Sequence, residues 1–436
     1  MKHHIIIYGC QMNHSDAERI ESLFEFLGSK KTDTAIEADI VVAVMCSVRQ
    51  MAADRVFGLE QKFKQIKKTN PKFKSILTGC VVENDKDRFA AIFDHILDIK
   101  SLNQWPVIVG LTDNKTANDD YFHILPKITL AHSVLVPISK GCDNYCTYCV
   151  VPYTRGHLES RPAKDILEEV GRAVRNGTKE IWLLGQNVNN YHWENIDFAN
   201  LLRQVNDIPG DFWLRFTSPH PKDFDDNAVA AMAQCEKVTP YLNLPVQSGD
   251  NAILKAMGRP YTAARYRLLV KKIRQAFKKY RRGPEKEVAI STDIIVGFPG
   301  ETKTQFQNSA KTFKAVKYDM AYIAQYSRRA GTAAAALDDN VPPKEKKRRE
   351  EAINNILKKT ALAHNKKFVG KTGAVFVDSI KAETPKKGPA LFALGKNRHY
   401  KTVKFPVSQD EVKPGDIVTV KITKAQSFGL LGRRVL

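Results

Sequence analysis

The sequence predicts a mixed α/β protein with an N-terminal doubly wound parallel sheet, a central partial (β/α)6 barrel and a small C-terminal antiparallel β-barrel. Short apolar strands alternate with helical segments through the first 100 residues and again through residues 131–340. From residue 368 onward, short strands follow one another without helices. Strands separated by helices favour parallel pairing, whereas short strands separated by turns favour an antiparallel barrel. A chain of 436 residues is also too long for one ordinary core.

The N-terminal part contains three strand candidates, HIIIYGC, ADIVVAVMC and KSILTGC. The helical segment SDAERIESLFEFLGS lies between the first two; it contains a capping-box pair, Ser15 and Glu18, and ends at Gly28. A basic helical stretch, VRQMAADRVFGLEQKFKQIKK, separates the second strand from the third. This alternation predicts a parallel, doubly wound sheet.

Each of these three strands ends in a cysteine, at Cys10, Cys46 and Cys80. Because parallel strands end at the same edge of a sheet, these cysteines are expected to converge although they are far apart in sequence. That edge is where open α/β sheets bind ligands. The alternative is that each cysteine is a buried small hydrophobe, as most lone cysteines are. Three cysteines at equivalent positions favour convergence.

The central part contains six strand candidates, namely SVLVPIS, EIWLLGQ, FWLRFTS, YLNLPVQ, EVAISTDIIVGF and MAYIAQYS. Amphipathic helices such as TAARYRLLVKKIRQAFKKY lie between them, with apolar residues on one face and basic residues on the other. Six βα units predict an incomplete (β/α) barrel whose chemistry takes place at the C-terminal ends of its strands.

The C-terminal part begins after a charged helical connector, PPKEKKRREEAINNILKKTALAHNKK. Five short strand candidates follow: TGAVFVDSI, LFALGK, YKTVKFPV, DIVTVKIT and GLLGRRVL. Residues 368–436 carry 13 Lys and Arg against 5 Asp and Glu. Small basic barrels commonly bind nucleic acid, although such a barrel can also serve as a solubilising cap.

The composition favours a polyanionic partner. Lys and Arg number 68 against 47 Asp and Glu, a formal charge of +21, and nucleic acid is the commonest partner of so basic a chain. A solvated basic surface is the alternative. No apolar run is long enough for a membrane span, and the first residues resemble neither a signal peptide nor an organelle presequence, so a cytoplasmic location is expected. The seven cysteines are then expected as thiols, metal ligands or catalytic groups rather than disulfides.

A further group of cysteines lies in GCDNYCTYCVVPYTRG, directly after the first barrel strand. Cys142, Cys146 and Cys149 are one ligand short of the four that a structural zinc site takes, and no second C-x2-C follows. Cys235 falls in a helical segment and is expected to be a core or surface thiol. Three thiolates with an open position suit an iron–sulfur cluster.

This motif, at this place in the chain, resembles the radical S-adenosylmethionine (SAM) superfamily. Over essentially the whole length, the sequence resembles the MiaB-type methylthiotransferases, in segments such as YGCQMNHSD, LLGQNVNNY, RFTSPHPKDFDD, LPVQSGDNAILKAMGR and STDIIVGFPGET. The resemblance implies an N-terminal methylthiotransferase domain at 1–125, a radical SAM core at 130–365 and a C-terminal RNA-binding TRAM domain at 367–436.

The resemblance also implies two four-iron four-sulfur clusters. Cys142, Cys146 and Cys149 would hold the cluster whose free iron chelates SAM, and the N-terminal cysteines would hold an auxiliary cluster that supplies sulfur. The implied reaction replaces the C2 hydrogen of N6-isopentenyladenosine, at position 37 of the tRNA anticodon stem-loop, by a methylthio group. The implied partners are tRNA and an electron donor such as flavodoxin or ferredoxin. No membrane association is implied, and a monomer is expected.

SAM is expected at the strand ends. The candidate contacts there are Gln186, Asn187, Thr217, Ser218, Gln247, Ser248 and Asp293, each of which could instead be an ordinary capping residue. Arg155 and Arg161 are expected to meet tRNA phosphate, or else to pair with acids such as Glu159. His220 is expected to be either a site residue or a packed loop histidine.

Three segments depart from the family pattern, and alternative functions stay open. VMCSVRQ has Met45 where an NTC sequence is usual, GCVVEN replaces a GCMAQ-like turn, and YSRRAGT lacks the prolines of YSPRPGT. These departures bear on loop geometry. Relatives within the resemblance act on threonylcarbamoyladenosine-37 of tRNA or on a ribosomal protein aspartate, and the basic barrel argues against the protein target. A non-catalytic, zinc-stabilised RNA-binding protein is the alternative from another class.

Overall fold

The computed structural model describes residues 1–47, 50–112, 121–127, 132–383 and 390–435. Within these ranges, a five-stranded sheet, two three-stranded sheets and a closed five-stranded barrel follow one another along the chain, with two short two-stranded pairings. No helix in these ranges is both long and apolar enough to cross a membrane.

The N-terminal elements are β1 (Lys2–Tyr8), α1 (Gln11–Phe26), β2 (Lys30–Lys31), β3 (Ile40–Cys46), α2 (Gln50–Phe57), α3 (Glu60–Thr69), β4 (Lys74–Cys80), α4 (Lys86–Ala90), β5 (His95–Ile96) and α5 (Trp105–Ile108). The strands form one parallel sheet in the order β2-β1-β3-β4-β5. Successive residues of β3 point to opposite faces, because side chains alternate along a strand. Val41 and Ala43 pack in one core with Phe63 of α3, and Val42 and Val44 pack in the other core with α1. Helices therefore cover both faces of the sheet.

The central elements are β6 (Ser133–Pro137), β7 (Ser139–Lys140), α6 (Val151–Arg155), β8 (Glu159–Ser160), α7 (Ala163–Arg175), β9 (Glu180–Leu184), β10 (His192–Trp193), β11 (Ile196–Asp197), α8 (Phe198–Asp207), β12 (Trp213–Phe216), α9 (Asp226–Gln234), β13 (Tyr241–Asn243), α10 (Asn251–Ala256), α11 (Ala263–Tyr280), β14 (Ala289–Val296), α12 (Lys303–Val316), β15 (Met320–Gln325) and α13 (Pro343–Lys366). Six of these strands pair in parallel as β6-β9-β12 and β13-β14-β15. A parallel bridge between Leu214 and Val238 connects the two halves. All six carboxyl ends therefore point to one side.

The C-terminal barrel consists of β16 (Thr372–Glu383), β17 (Ala390–Asn397), β18 (Thr402–Val407), β19 (Ile417–Gln426) and β20 (Gly429–Arg434). It closes in the order β16-β17-β18-β20-β19. The expectation of purely antiparallel pairing is wrong for one contact, because β18 and β20 run in parallel. These two strands are separated in sequence by β19, which lets β20 return beside β18 in the same direction.

Three expectations for helices are corrected. α1 begins at Gln11, with Cys10 as N-cap and Asn13 completing the capping box, so Ser15 lies inside the helix. The basic stretch after β3 forms two helices, α2 and α3, and its first residues, 48 and 49, lie outside the described residues. α13 is more than a connector, because Ile353 and Leu357 belong to the central core.

Polar contacts join the three parts of the chain. Ser15 of α1 donates to the carbonyl of Leu135 in β6 at 3.3 Å. Arg215 of β12 donates to the carbonyl of Asn397 at 3.1 Å, and Lys401 pairs with Asp319 at 2.6 Å. The C-terminal barrel therefore packs, through the turn after β17, against the amino ends of the central strands.

Candidate active site

The N-terminal cysteines come together at the carboxyl edge of the first sheet. Cys46 and Cys80 are the last residues of β3 and β4 and lie opposite each other in register, while Cys10 follows β1 as the N-cap of α1. The neighbouring Cys46 thiol lowers the pKa of Cys10 to about 7 and that of Cys80 to about 6. The three residues form one thiol cluster, here called the N-terminal trio.

Asn13 and Gly79 hold this trio in place. The side-chain oxygen of Asn13 accepts from the Cys10 backbone N–H at 3.1 Å, and its amide donates to the Met45 carbonyl at 3.2 Å. Gly79 has a φ of +103°, and a Cβ there would lie 2.2 Å from the Met45 carbonyl oxygen. Only glycine fits this position. Sequence reasoning missed both residues, although Asn13 is three positions from Cys10 and Gly79 directly precedes Cys80.

The second group of cysteines lies in the irregular loop after β7, here called the loop trio. Cys142 and Cys146 are buried and Cys149 is half-buried. The Cys142 N–H donates to the Gly156 carbonyl at 3.0 Å, and the Thr147 N–H donates to the Met257 carbonyl at 3.1 Å. Burial raises the pKa of Cys149 to about 12. The loop is thus fastened to both the segment after α6 and the end of α10.

Arg259 is a further site residue that sequence reasoning did not single out. Its guanidinium donates to the Cys146 sulfur at 3.4 Å and to the Tyr261 hydroxyl at 2.9 Å. The residue is buried, and although burial lowers the pKa of its guanidinium, the neighbouring Tyr148 and Tyr261 raise it above its usual range. A fixed cation therefore faces one sulfur of the loop trio. The sequence signal was only the GRPY segment after α10.

Among the predicted strand-end contacts, Asn187 and Gln247 have buried side-chain oxygens without a hydrogen-bond partner. The Asn187 amide donates to Asp223 at 2.8 Å, which fixes its orientation. Nε2 of His220 is also buried without a partner, and burial together with Arg259 lowers the pKa of His220 to about 2, so the ring is neutral. Buried polar atoms of this kind usually have partners. They mark polar groups available to a ligand.

The other predicted contacts have partners or lie in the open. Gln186 accepts from the Gly141 N–H at 2.6 Å, Ser248 meets the Ser309 hydroxyl at 3.3 Å, and Asp293 accepts from Asn243 at 2.9 Å. Thr217 is half-buried, while Ser218 is exposed with a φ of +56°. Left-handed backbone at a non-glycine residue is found mostly at turns and functional sites.

The expected phosphate contacts of Arg155 and Arg161 are wrong, because both side chains are buried and paired with carboxylates. Arg161 pairs with Glu169 at 2.7 Å. Arg155 donates to Asp16 at 2.6 Å and, through Nε, to the Cys80 sulfur at 3.1 Å. A tRNA phosphate has to be reached from solvent, whereas these guanidinium groups lie inside the protein.

Each cysteine trio supplies three thiols, the donor type that binds iron–sulfur clusters. Within the described ranges, no three His, Cys, Asp or Glu side chains are arranged to hold one metal ion. The ligands of a four-iron four-sulfur cluster are arranged differently from those of a single ion, because each thiolate binds a different iron. Each trio offers that donor set, and Asn187 and Gln247 offer oxygens to a polar cofactor.

Two family models match parts of the chain. One, described as the Radical SAM superfamily, matches residues 136–313. The other, described as "Uncharacterized protein family UPF0004", matches residues 2–99. The first range contains the loop trio and the second contains the N-terminal trio. Membership of the radical SAM superfamily implies a 4Fe-4S cluster and SAM.

Relatives match along nearly the whole chain. An enzyme of Clostridium perfringens (strain SM101 / Type A) named tRNA-2-methylthio-N(6)-dimethylallyladenosine synthase is 36% identical over 99% of this chain and 97% of its own. Enzymes of the same name from Clostridium novyi (strain NT) and Dictyoglomus thermophilum are 38% and 34% identical, covering 98% and 99% of this chain and 95% and 98% of their own.

Solved structures share the fold at low sequence identity. The radical S-adenosylmethionine methyltransferase TsrM from Kitasatospora setae superimposes with a TM-score of 0.54 at 11% identity, covering 89% of this chain and 81% of its own. The cobalamin-dependent S-adenosylmethionine radical enzyme OxsB gives a TM-score of 0.54 at 11% identity, covering 81% and 56%. The fold is that of radical SAM enzymes.

Proposed function

Because the chain belongs to the family of tRNA-2-methylthio-N(6)-dimethylallyladenosine synthases, we propose that it adds a methylthio group to C2 of N6-isopentenyladenosine-37 in tRNA. The observation that carries this proposal is the contact between the segment that follows the loop trio and the N-terminal trio. Arg155 follows the loop trio by six positions and donates to Cys80 of the N-terminal trio. A reaction that needs both a radical and a sulfur donor at one carbon needs two such centres side by side.

The loop trio would hold the cluster that binds SAM, and the N-terminal trio would hold the auxiliary cluster. When bound, the first cluster and SAM supply a 5′-deoxyadenosyl radical that removes the C2 hydrogen, a hydrogen not acidic enough for a protein base. Asn187 and Gln247 would orient SAM or the adenine through their unpartnered oxygens. Gln186 would act indirectly, by fixing the loop at Gly141.

The proposed domains are 1–125 for the auxiliary centre, 130–365 for the radical SAM core and 367–436 for a TRAM-type RNA-binding barrel. The start of the second domain, at 130, lies outside the described residues. The basic charge of the closed barrel, with 13 Lys and Arg against 5 Asp and Glu in residues 368–436, supports its binding to the anticodon stem-loop.

The remaining assignments follow from the same proposal. An electron donor such as flavodoxin or ferredoxin would reduce the SAM cluster. The enzyme would act as a monomer in the cytoplasm, where tRNA and reduced thiols are found. No membrane partner is required by this chemistry.

The decisive experiment is mass spectrometry of tRNA nucleosides from a strain that lacks this gene. The methylthio-isopentenyl nucleoside should disappear and its unthiolated precursor should accumulate. Complementation with the intact gene should restore the product, and complementation with Cys142→Ala should not.

Two other outcomes would overturn the proposed substrate. Loss of a methylthiolated threonylcarbamoyladenosine would move the substrate to that nucleoside. An unchanged tRNA profile with an unmodified ribosomal aspartate would move it to the protein. Zinc without acid-labile sulfide in the anaerobically purified chain would favour a non-catalytic RNA-binding protein.

A further inference from the structure

Arg155 follows the loop trio in the sequence and contacts the N-terminal trio. Its Nε donates to the Cys80 sulfur at 3.1 Å, while its two terminal nitrogens donate to the two carboxylate oxygens of Asp16 at 3.3 and 2.6 Å. The Asp16 carboxylate also accepts from the Tyr121 hydroxyl at 2.6 Å. Among the described residues, the polar contacts of the guanidinium are thus directed at one carboxylate and one sulfur.

The position of Arg155 also connects it closely to the loop trio. It is the last residue of α6, and the next residue, Gly156, accepts the backbone hydrogen bond of Cys142 at 3.0 Å. A path of two hydrogen bonds, one peptide and one side chain therefore leads from Cys142 to Cys80. A second arginine, Arg259, makes a contact of the same kind, since it donates to the Cys146 sulfur.

The Arg155 cation is fixed and shielded from solvent. The residue is 3% exposed and Asp16 is fully buried. An arginine guanidinium stays protonated in proteins, and this one is paired with the Asp16 carboxylate at 2.6 Å. A bidentate arginine–carboxylate pair holds the donor in one orientation. In a buried site, such a charge acts strongly on its neighbours.

We propose that Arg155 is a positioning residue that raises the reduction potential of the cluster held by Cys10, Cys46 and Cys80. This inference rests on the proposed function, which supplies that cluster. Hydrogen bonds to ligand sulfur and nearby positive charge both stabilise the reduced, more negative form of an iron–sulfur cluster. Asp16 has the opposite effect on charge and also aims the guanidinium at Cys80.

A higher potential suits the electron balance of sulfur transfer. The cluster that Cys10, Cys46 and Cys80 would hold would supply methylthiolate sulfur to a substrate carbon radical, and it would keep the one electron left when the iron–sulfur bond is replaced by the carbon–sulfur bond. Arg155 stabilises the centre that receives that electron. Arg259 contacts the loop trio instead. The reduction potentials of the two centres can therefore be set by different arginines.

The test uses the full-length chain with the loop trio replaced, C142A/C146A/C149A, so that only the N-terminal trio can hold a cluster. The midpoint potential of that cluster is measured by dithionite titration with electron paramagnetic resonance. R155Q in this background should lower the potential by the equivalent of at least tenfold in the reduction equilibrium, ~59 mV for one electron. D16N should raise it, because the guanidinium charge is then uncompensated.

R259Q is the matched control, since it removes another buried arginine whose sulfur partner is already absent from this background. It should leave the potential unchanged. If Arg155 had a merely structural role, R155Q and D16N would shift the midpoint potential in the same direction or not at all. Either result would overturn the inference. If R155Q does not retain iron, the direction in which D16N shifts the midpoint potential decides the inference.

If the proposed function is wrong, the triple variant C142A/C146A/C149A binds no cluster even with Arg155 present, as measured by iron and sulfide analysis. A cluster that assembles with equal potentials in all variants refutes only the role of Arg155.

Discussion

The backbone N–H of Gly141 donates to the side-chain oxygen of Gln186 at 2.6 Å, which ties the loop trio to the end of β9. Gln186 follows this strand by two residues, so the sheet itself fixes where the cysteine loop begins. Gly141 has a φ of +78°, and a Cβ there would lie 1.9 Å from the His157 carbonyl oxygen. Gln186 on one side and the His157 carbonyl on the other therefore restrict the path of the backbone at Gly141.

Gln186→Leu should weaken cluster retention. It leaves the Gly141 N–H without its acceptor, at a cost of about 1–3 kcal/mol to the native loop. We expect faster iron loss to a chelator and a lower melting temperature. Gln61→Leu, on the exposed side of α3, is the control for the substitution. Equal iron loss in the two variants would contradict this role of Gln186.

Cysteine substitutions should separate the two centres. The reconstituted protein should contain about eight irons, and Cys142→Ala or Cys46→Ala about four. Cys142→Ala should abolish SAM cleavage, whereas Cys46→Ala should keep cleavage and stop methylthio transfer. Cys235→Ala, in the central core away from both trios, is the matched control. Product formation by Cys46→Ala would refute the auxiliary centre.

Removal of Glu169 should destabilise the interface between α1 and α7. Its carboxylate pairs with Arg161 at 2.7 Å and with Arg19 at 3.4 Å, and all three side chains are almost fully buried. Glu169→Gln removes the carboxylate that two buried arginines share, which should cost about 3–5 kcal/mol in urea unfolding. The exposed neighbour Glu168→Gln should cost little. Similar unfolding curves for both variants would show that the network adds no stability.

Glu18 should make the protein less stable as the pH rises. Burial raises the pKa of this carboxyl from 4.5 to about 8, with Glu169 and Glu21 adding to the effect. Between these pH values the unfolded chain loses the proton and the folded chain keeps it, so the free energy of unfolding falls from pH 4.5 and levels off above pH 8. Glu18→Gln should flatten that decline, as followed by urea unfolding at several pH values. Glu60→Gln, which removes an exposed carboxyl, controls for the substitution; an unchanged slope in Glu18→Gln would contradict the shift.

Charge reversal on the C-terminal barrel should weaken tRNA binding without affecting SAM cleavage. Lys424 and Arg433 are exposed on the neighbouring strands β19 and β20. If both contact phosphates, the double variant Lys424→Glu/Arg433→Glu should lower the slope of log affinity against log salt by about one to two. Lys64→Glu, exposed on α3 of the N-terminal part, is the control. A salt dependence equal to that of the intact protein would place the tRNA elsewhere.

Much of the architecture was predictable because periodicity and strand-end position are properties of local sequence. The six central strands occur where the apolar segments predicted them, and the resemblance to methylthiotransferases is confirmed by relatives that match over nearly the whole chain. The start of α1 was misplaced, because Ser15 and Glu18 match a capping box while Cys10 and Asn13 make the observed one. A cysteine N-cap is not a common sequence signal.

The sequence by itself determined the two sets of cysteines, the order of strands and helices, and the family. Only the tertiary structure decided what the charged side chains do. Arginine is a residue type that commonly binds phosphate, yet Arg155 is buried against Asp16 and Arg161 against Glu169. Asp16 lies 139 positions before Arg155, and Glu169 lies eight positions after Arg161. The reason is physical: an ion pair forms between whichever charges the fold buries together, and sequence distance carries no information about that.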